Sequence, residues 1–206
     1  MKIIQLGSTP FAEAVLEASA VLERGGIVLY PTDTLYGLAV DAHNPVALSR
    51  LRALKGRETK KPISVIVPSV EAIGRYAVYD EVANTLASRH MPGALTLVLP
   101  AHTHTPKEVQ LFGTIGVRVP DNEFCLLLAQ TFGRAYTATS ANLSGYAVAI
   151  TTDQILQDFG PAMRDIDLVV DGGELASGQG STVVAVRDGQ MLVLREGKLT
   201  REQLGI

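Results

Sequence analysis

The sequence predicts an α/β (α+β) fold in which one mixed parallel and antiparallel sheet is flanked by helices. Short apolar, β-rich runs, such as residues 27–30 and 63–67, lie between segments whose apolar residues repeat at helical spacing, such as residues 11–22. The two kinds of segment are interspersed without the strict alternation that is typical of an all-parallel sheet. Both strand directions are therefore expected.

The helices are predicted from their start and stop signals. Thr9-Pro10 is interpreted as an N-cap with proline at the first helical position, and Asn44-Pro45 repeats that signal. The first helix is expected to stop at Gly25 and the second near Gly56. Further helices are predicted over residues 80–90, 122–132 and 152–159, with a short helix capped by Ser69.

The strands are predicted as short apolar runs between turn signals. Pro31 ends the first strand because proline has no amide proton for the sheet ladder. Pro92-Gly93 turns the chain into another strand, and residues 101–112 show little periodicity and are predicted as a loop. The predicted strands cover residues 27–30, 63–67, 94–99, 116–120, 135–139, 167–171, 182–186 and 191–194.

Length and composition fit one ordinary globular domain over residues 1–206. The chain is 47% apolar and 19% charged, and no linker, low-complexity segment or repeat divides it. A net charge of −3 makes the whole chain a poor electrostatic match for nucleic acid, although a local basic patch is compatible with it. No signal-peptide core and no run of about 20 apolar residues is evident, so we expect a cytoplasmic protein without a membrane span.

A polar turn follows the first predicted strand and is the main candidate for a binding site. Thr32, Asp33, Thr34 and Tyr36 lie between two apolar runs, and ligands of open α/β sheets sit at strand ends. An Asx or Thr turn that only stabilises the strand exit would use the same residue types.

Three further positions carry polar groups that suit an anionic ligand. Lys55-Gly56-Arg57 suits a polyphosphate or a carboxylate, although cations at a solvated helix end would look the same. Ser140 and Asn142 follow an apolar strand and either contact a ligand or hold a turn. Arg118 interrupts an apolar strand and needs a partner, which is either a buried carboxylate or a ligand.

Three of these motifs together resemble the YrdC-like family. They are residues 31–38 (Pro-Thr-Asp-Thr-Leu-Tyr-Gly-Leu), the KxR signature at Lys55-Gly56-Arg57 and the SxN signature at Ser140-Ala141-Asn142. The resemblance covers residues 18–197 and implies a single twisted sheet with a concave, positively charged surface. Its best-understood members are threonylcarbamoyl-AMP synthases, which serve tRNA modification.

The resemblance also implies a role for each candidate residue. Lys55 and Arg57 would bind the phosphates of ATP and act in catalysis, with Mg²⁺ carried by the nucleotide. Thr32, Thr34, Arg118 and Ser140 would bind L-threonine, with Arg118 on its carboxylate. The remaining nucleotide contacts would come from Thr114, Asn142, Ser144 and Arg195, together with Ser140.

The implied reaction joins L-threonine, bicarbonate and ATP, and passes the product to a threonylcarbamoyl transferase that acts on tRNA. The short end of the chain after its last strand predicts the single-domain form. The family often has a histidine soon after its KxR motif, whereas residues 62–66 contain none. A paralogue with another acceptor is therefore an alternative. A non-catalytic RNA-binding module is a second alternative, because the concave basic surface that the resemblance implies is similar to an RNA groove.

Competing site chemistries find little support in the sequence. Neither GxxxxGK[ST] nor a complete GxGxxG is present. The one cysteine, Cys125, lies in an apolar helical setting that indicates a structural thiol. His102 and His104 lack a ligand-spaced carboxylate or cysteine, so no zinc site is predicted. The glycine-rich stretch from Gly172 to Ser181 is interpreted as a plain connection in preference to a phosphate cradle or a lid, because no following helix supplies an anion-binding N-terminus.

Overall fold

The computed structural model describes residues 1–56, 62–176 and 178–205. Within these ranges ten strands form one sheet in the order β1-β8-β2-β3-β7-β4-β6-β5-β9-β10. The strands are β1 (Lys2–Gln5), β2 (Val28–Tyr30), β3 (Gly37–Ala39), β4 (Ser64–Ile66), β5 (Leu95–Pro100), β6 (Thr114–Arg118), β7 (Tyr136–Ser140), β8 (Leu168–Asp171), β9 (Thr182–Arg187) and β10 (Gln190–Arg195).

The sheet is mixed, as the sequence predicts. The pairs β1/β8, β2/β8, β4/β6 and β5/β9 are parallel. The pairs β2/β3, β3/β7, β4/β7, β5/β6 and β9/β10 are antiparallel. All eight predicted strands are confirmed with shifts of one or two residues at their ends.

Six α-helices flank the sheet within the described ranges, and five of them lie where the sequence predicts. They are α1 (Phe11–Glu23), α2 (Pro45–Leu54), α3 (Glu81–His90), α4 (Glu123–Phe132), α5 (Thr152–Phe159) and α6 (Arg201–Leu204). The Asn44 side chain caps α2 by accepting from the amides of Val46 and Ala47. The predicted Thr9 cap is wrong: Pro10 occupies the N-cap of α1, and no side chain caps that end.

Two strands and one helix were not predicted. β1 is a four-residue strand with one buried residue, and β3 is a three-residue strand that begins at Gly37, directly after the polar turn. β3 pairs antiparallel with β2, so the polar turn between them is the end of a hairpin. The four-residue helix α6 begins with a capping box formed by Thr200 and Gln203, a signal the sequence did contain.

The helices cover the two faces of the sheet unequally. On one face α1 and α4 pack over β2 and β8, burying Leu22, Phe124 and Leu128. On the opposite face a larger core contains Leu51 of α2, Leu86 of α3 and the inward residues of the central strands. The first face is consequently open beside α1 and α4, over the other end of the sheet.

No helix among the described residues is both long enough and apolar enough to cross a lipid bilayer.

Candidate functional site

The open part of the sheet forms the floor of a cavity of about 600 Å³. Successive side chains of a strand point to opposite faces, so every second residue of the central strands reaches the cavity. On β6 Val117 is buried in the core, whereas Arg118 borders the cavity, as its place in the strand predicted. The other floor residues on β5, β6 and β9 are Thr96, Val98, Thr114, Gly116, Val183, Ala185 and Arg187.

The residues in the middle of this floor have small side chains, so the cavity there reaches close to the backbone of the sheet. The strand register aligns Ser64 with Ala138 and Val98 with both Gly116 and Ala185. A β-carbon at Gly116 would lie 2.4 Å from the Oγ of Ser64, a distance at which one of them must move. A ligand can therefore lie close to the backbone of the sheet.

The polar turn after β2 is held by the Thr32 hydroxyl. Its oxygen accepts from the amides of Thr34 (3.0 Å) and Leu35 (3.1 Å), and its proton is donated to the carbonyl of Leu35 (2.7 Å). The turn interpretation thus holds for Thr32. Thr34 differs because its hydroxyl accepts a hydrogen bond from Arg118 (2.8 Å). Thr32, Thr34 and Arg118 all border the cavity.

Arg118 has a carboxylate partner and also faces the cavity. Its Nη2 lies 2.6 Å from Oδ1 of Asp33, and its Nε donates to the carbonyl of Gly93 (3.3 Å). The side chains of Arg118 and Asp33 are only 8% and 11% exposed. The sequence left a carboxylate and a ligand as alternatives for this arginine, and it did not identify Asp33 as the partner.

Arg195 brings a second guanidinium to the same cavity. Its Nη2 donates to the carbonyl of Ser181 (2.8 Å). Burial, followed by the nearby charge of Arg118, lowers the pKa of Arg195. Two like charges close together favour an anion between them, because such a ligand relieves their repulsion.

Thr96 and Ser181 are site residues that the sequence analysis missed. Their hydroxyls are buried and lie 2.8 Å apart at the cavity. Gly180 also borders the cavity, so the end of the glycine-rich stretch is part of the site and more than a plain connection. A threonine inside the apolar strand at residues 94–99 was the available signal, and it was overlooked because threonine is common in strands.

Lys55 lies at the end of α2, as predicted, but the solvated helix-end interpretation is wrong. The residue is 2% exposed. Its ammonium donates to the carbonyls of Ser140 and Asn142, the latter at 2.9 Å. Lys55 therefore joins the helix end to the SxN turn and places a positive charge beneath it.

The SxN turn is organised by its own side chains. The hydroxyl of Ser140 donates to Oδ1 of Asn142 (2.7 Å), and Nδ2 of Asn142 donates to the carbonyl of Tyr146 (2.7 Å). The amide of Ser144 donates to the carbonyl of Lys55 (2.9 Å). Of these described residues, Ser140 is the one that borders the cavity. Arg57 lies outside the described residues.

Tyr36 connects the first motif to the glycines after β8. Its hydroxyl donates to the carbonyl of Gly173 (2.7 Å) and accepts from the amide of Gly172 (3.0 Å). Burial raises the pKa of this phenol, which therefore stays protonated and able to donate. The end of the first motif and the start of the glycine-rich stretch are thus fixed together.

Carboxylate ligands for a metal ion are not part of the described cavity wall. No group of three or more His, Cys, Asp or Glu residues that could hold a metal occurs within residues 1–56, 62–176 and 178–205. The described residues that border the cavity include Arg118, Arg187 and Arg195 but no carboxylate. A divalent cation here would take its ligands from phosphate oxygens and water, as Mg²⁺ does when it enters with a nucleotide.

These features define an α/β protein with a cavity on the open face of its sheet, lined by arginines and hydroxyls. A sequence model of the Sua5/YciO/YrdC family, described as "Telomere recombination", matches residues 20–197. The chain belongs to this family, and the resemblance noted in its sequence is confirmed.

Named relatives in this family share much of the chain. The mouse (Mus musculus) threonylcarbamoyl-AMP synthase is 38% identical over 195 residues, which cover 91% of this chain and 68% of the mouse protein. A Vibrio cholerae protein of the same name is 33% identical over 192 residues, covering 90% of this chain and 98% of its own.

Solved structures show the same fold. Pyrococcus abyssi Sua5 complexed with L-threonine matches with a TM-score of 0.89 at 31% identity, covering 98% of this chain. The chain spans 59% of the length of that protein. Escherichia coli YciO matches with a TM-score of 0.86 over 98% of both chains, and at 24% identity this match concerns the fold alone.

Proposed function

We propose that the protein is a threonylcarbamoyl-AMP synthase that joins L-threonine, bicarbonate and ATP and releases pyrophosphate. The proposal rests on one observation: Arg118 and Arg195 border the same cavity, and the described residues that line this cavity include no carboxylate. The comparisons support the same enzyme class, since relatives at 31–38% identity over most of the chain bear that name.

The proposed threonine site lies at Arg118 and Thr34. The guanidinium binds the amino acid carboxylate with its remaining N–H groups, while Asp33 and the Thr34 hydroxyl fix its plane. A charge-assisted hydrogen bond of this kind contributes about 1.5–3 kcal/mol. The P. abyssi relative that was solved with L-threonine supports an amino acid as the ligand.

The proposed ATP site extends from Ser140 to Thr114 and Arg195. Ser140 and Thr114 offer hydroxyls at the cavity wall, Asn142 and Ser144 shape the SxN turn, and Arg195 neutralises phosphate charge. Lys55 was predicted to bind the phosphates directly; in this proposal it acts through the positive charge that it places under the turn, where its ammonium is bound by the carbonyls of Ser140 and Asn142. Arg57 remains the predicted direct phosphate ligand.

The chemistry that this site has to assist needs no protein nucleophile. The threonine amine takes up carbon dioxide with loss of a proton, or bicarbonate with loss of water, and the resulting carbamate oxygen attacks the α-phosphorus. The bond from the α-phosphorus to pyrophosphate breaks and pyrophosphate leaves; a Mg²⁺ ion on the phosphates would neutralise part of its charge. Both reactants are anions, so the site must hold them together against their repulsion. Alignment of this kind can contribute about 7–11 kcal/mol, and the arginines supply the opposing charge.

The proposal also covers the enzyme that uses the product and the cellular location. The product is consumed by a threonylcarbamoyl transferase that acts on tRNA, in the cytoplasm. The transferase is proposed because a threonylcarbamoyl adenylate, the product that the relatives' names give, is an activated intermediate whose threonylcarbamoyl group has to pass to an acceptor.

The decisive experiment measures pyrophosphate release while each component is omitted in turn. Release should require ATP, L-threonine and bicarbonate together. Equal release with serine, glycine or no amino acid would contradict the threonine assignment and favour a paralogue with another acceptor. Salt-dependent RNA binding without any pyrophosphate release would favour the non-catalytic module.

A further inference from the structure

Phe112 occupies a backbone conformation that disfavours bulky side chains. Its φ is +50°, and Gly113 follows with φ +75°. The amides of Leu111 and Thr114 each donate to the other's carbonyl at 2.9 Å, so Phe112-Gly113 is a two-residue turn with positive φ at both central positions. Asn-Gly and Asp-Gly are the sequences that favour this turn. A phenylalanine is strained there.

The chain contains a second turn of this kind with the favoured residues. Asp188 and Gly189 join β9 to β10 with φ values of +52° and +76°. The same fold thus uses Asp-Gly where the turn has only to reverse the chain. The aromatic residue in the other turn needs a different explanation.

Packing does not explain Phe112. Its side chain is 96% exposed, the highest value among the large apolar residues of the described chain. Yet it borders the cavity, beside Leu111 and two residues before the Thr114 hydroxyl. A strained backbone at the rim of a site, carrying an unpacked aromatic ring, points to a ligand contact.

The sheet register places this ring at the end of the cavity away from Arg118. Arg118 and Thr114 lie at opposite ends of β6, about 13 Å apart for four residues of strand. Near Arg118 the cavity wall has Thr34, Thr96 and Ser181. Toward Phe112 the wall has Leu111, Val98 and Ala185 together with the exposed side chain of Arg187. The cavity is therefore matched to an elongated ligand with an anionic end near Arg118 and a flat end that can stack on the ring.

We propose that Phe112 stacks on the base of the nucleotide and is a base-binding residue of this site. The inference rests on the proposed function, which supplies ATP as the ligand. An aromatic side chain offers a flat face to any base, and such stacking is insensitive to base identity. The exposed ring of Phe112 has a free face on which a base can stack.

The test compares nucleotide and inorganic phosphate binding in Phe112→Asn. Calorimetry should show ATP affinity reduced roughly 5- to 100-fold. Affinity for inorganic tripolyphosphate should stay unchanged, because that probe has no base. The melting temperature should rise by roughly 2–4 °C, since asparagine tolerates the left-handed turn. Phe112→Tyr keeps the ring and should keep the ATP affinity.

A matched control removes another exposed apolar side chain. Leu192 is 63% exposed and does not border the described cavity, so Leu192→Asn should bind ATP like the unchanged protein. Unchanged ATP affinity in Phe112→Asn would overturn the inference, as would an equal loss of tripolyphosphate affinity or a lower melting temperature. If the unchanged protein binds no ATP, the proposed function fails and this inference with it.

Discussion

Arg118 offers a test in which stability and ligand affinity separate. It pairs with Asp33 at 2.6 Å, and both side chains are about nine-tenths buried, with 8% and 11% exposed. Removing one member of a buried pair leaves the other charge uncompensated, which costs about 3–5 kcal/mol. A protein of this size loses about 2–4 °C of melting temperature per kcal/mol. Arg118→Gln should therefore melt about 6–20 °C lower.

The same substitution should weaken threonine binding. Loss of a charged partner for the amino acid carboxylate should reduce affinity about 10- to 100-fold. Thermal melting and calorimetry with threonine measure the two effects independently. Arg201→Gln is the control, because its pair with Glu196 is 58% and 60% exposed, and exposed pairs contribute at most about 1 kcal/mol.

A double variant distinguishes the two roles of Arg118. Combining Asp33→Asn with Arg118→Gln removes both charges, so part of the melting temperature should return while threonine binding stays weak. Normal threonine affinity in the double variant would refute the assignment of the carboxylate to Arg118. A melting temperature of the single variant within about 2 °C of the unchanged protein would refute the argument from the buried pair.

Two further predictions concern the KxR motif and the cysteine. Lys55→Met should lower both the melting temperature and the ATP affinity, because it leaves two carbonyls of the SxN turn without their hydrogen-bond donor. Arg57→Met should reduce only the ATP affinity, by about 10- to 100-fold. Calorimetry should find threonine affinity intact in both, and unchanged ATP affinity in both would contradict the phosphate site. Burial raises the pKa of the Cys125 thiol, so mass spectrometry should find it unmodified after iodoacetamide treatment of the native protein at pH 8 and alkylated in urea. Rapid alkylation of the native protein would show that the thiol is accessible.

The strands and helices that could be predicted are those with a long apolar pattern or a clear cap. α5 was predicted with its observed bounds, because Thr151 and Gly160 frame an amphipathic run. β1 was missed because only one of its four residues is buried, and β3 because it begins at a glycine, a residue type that is depleted in strands. What the sequence could not show was pairing: β3 exists as a strand because β2 and β7 lie on either side of it.

In the site, too, single residues could be predicted from the sequence but their contacts could not. Lys55, Arg118 and the SxN turn could be singled out because charges and hydroxyls beside apolar runs stand out in a sequence. Their partners could not be found, because Asp33 is 85 residues from Arg118 and Ser140 is 85 from Lys55. A buried ammonium satisfied by carbonyl groups has the same local sequence as a solvated one.

The distribution of charge distinguishes a small-ligand enzyme from an RNA-binding module. An RNA strand needs cations spread along a track that follows its backbone. Here the chain carries a net charge of −3, while Arg118, Arg187 and Arg195 gather around one cavity of about 600 Å³. An acidic surface repels a long polyanion at most points of contact, but a short anion that enters the cavity meets mainly the arginines. The layout therefore favours ATP and an amino acid as ligands over a nucleic acid.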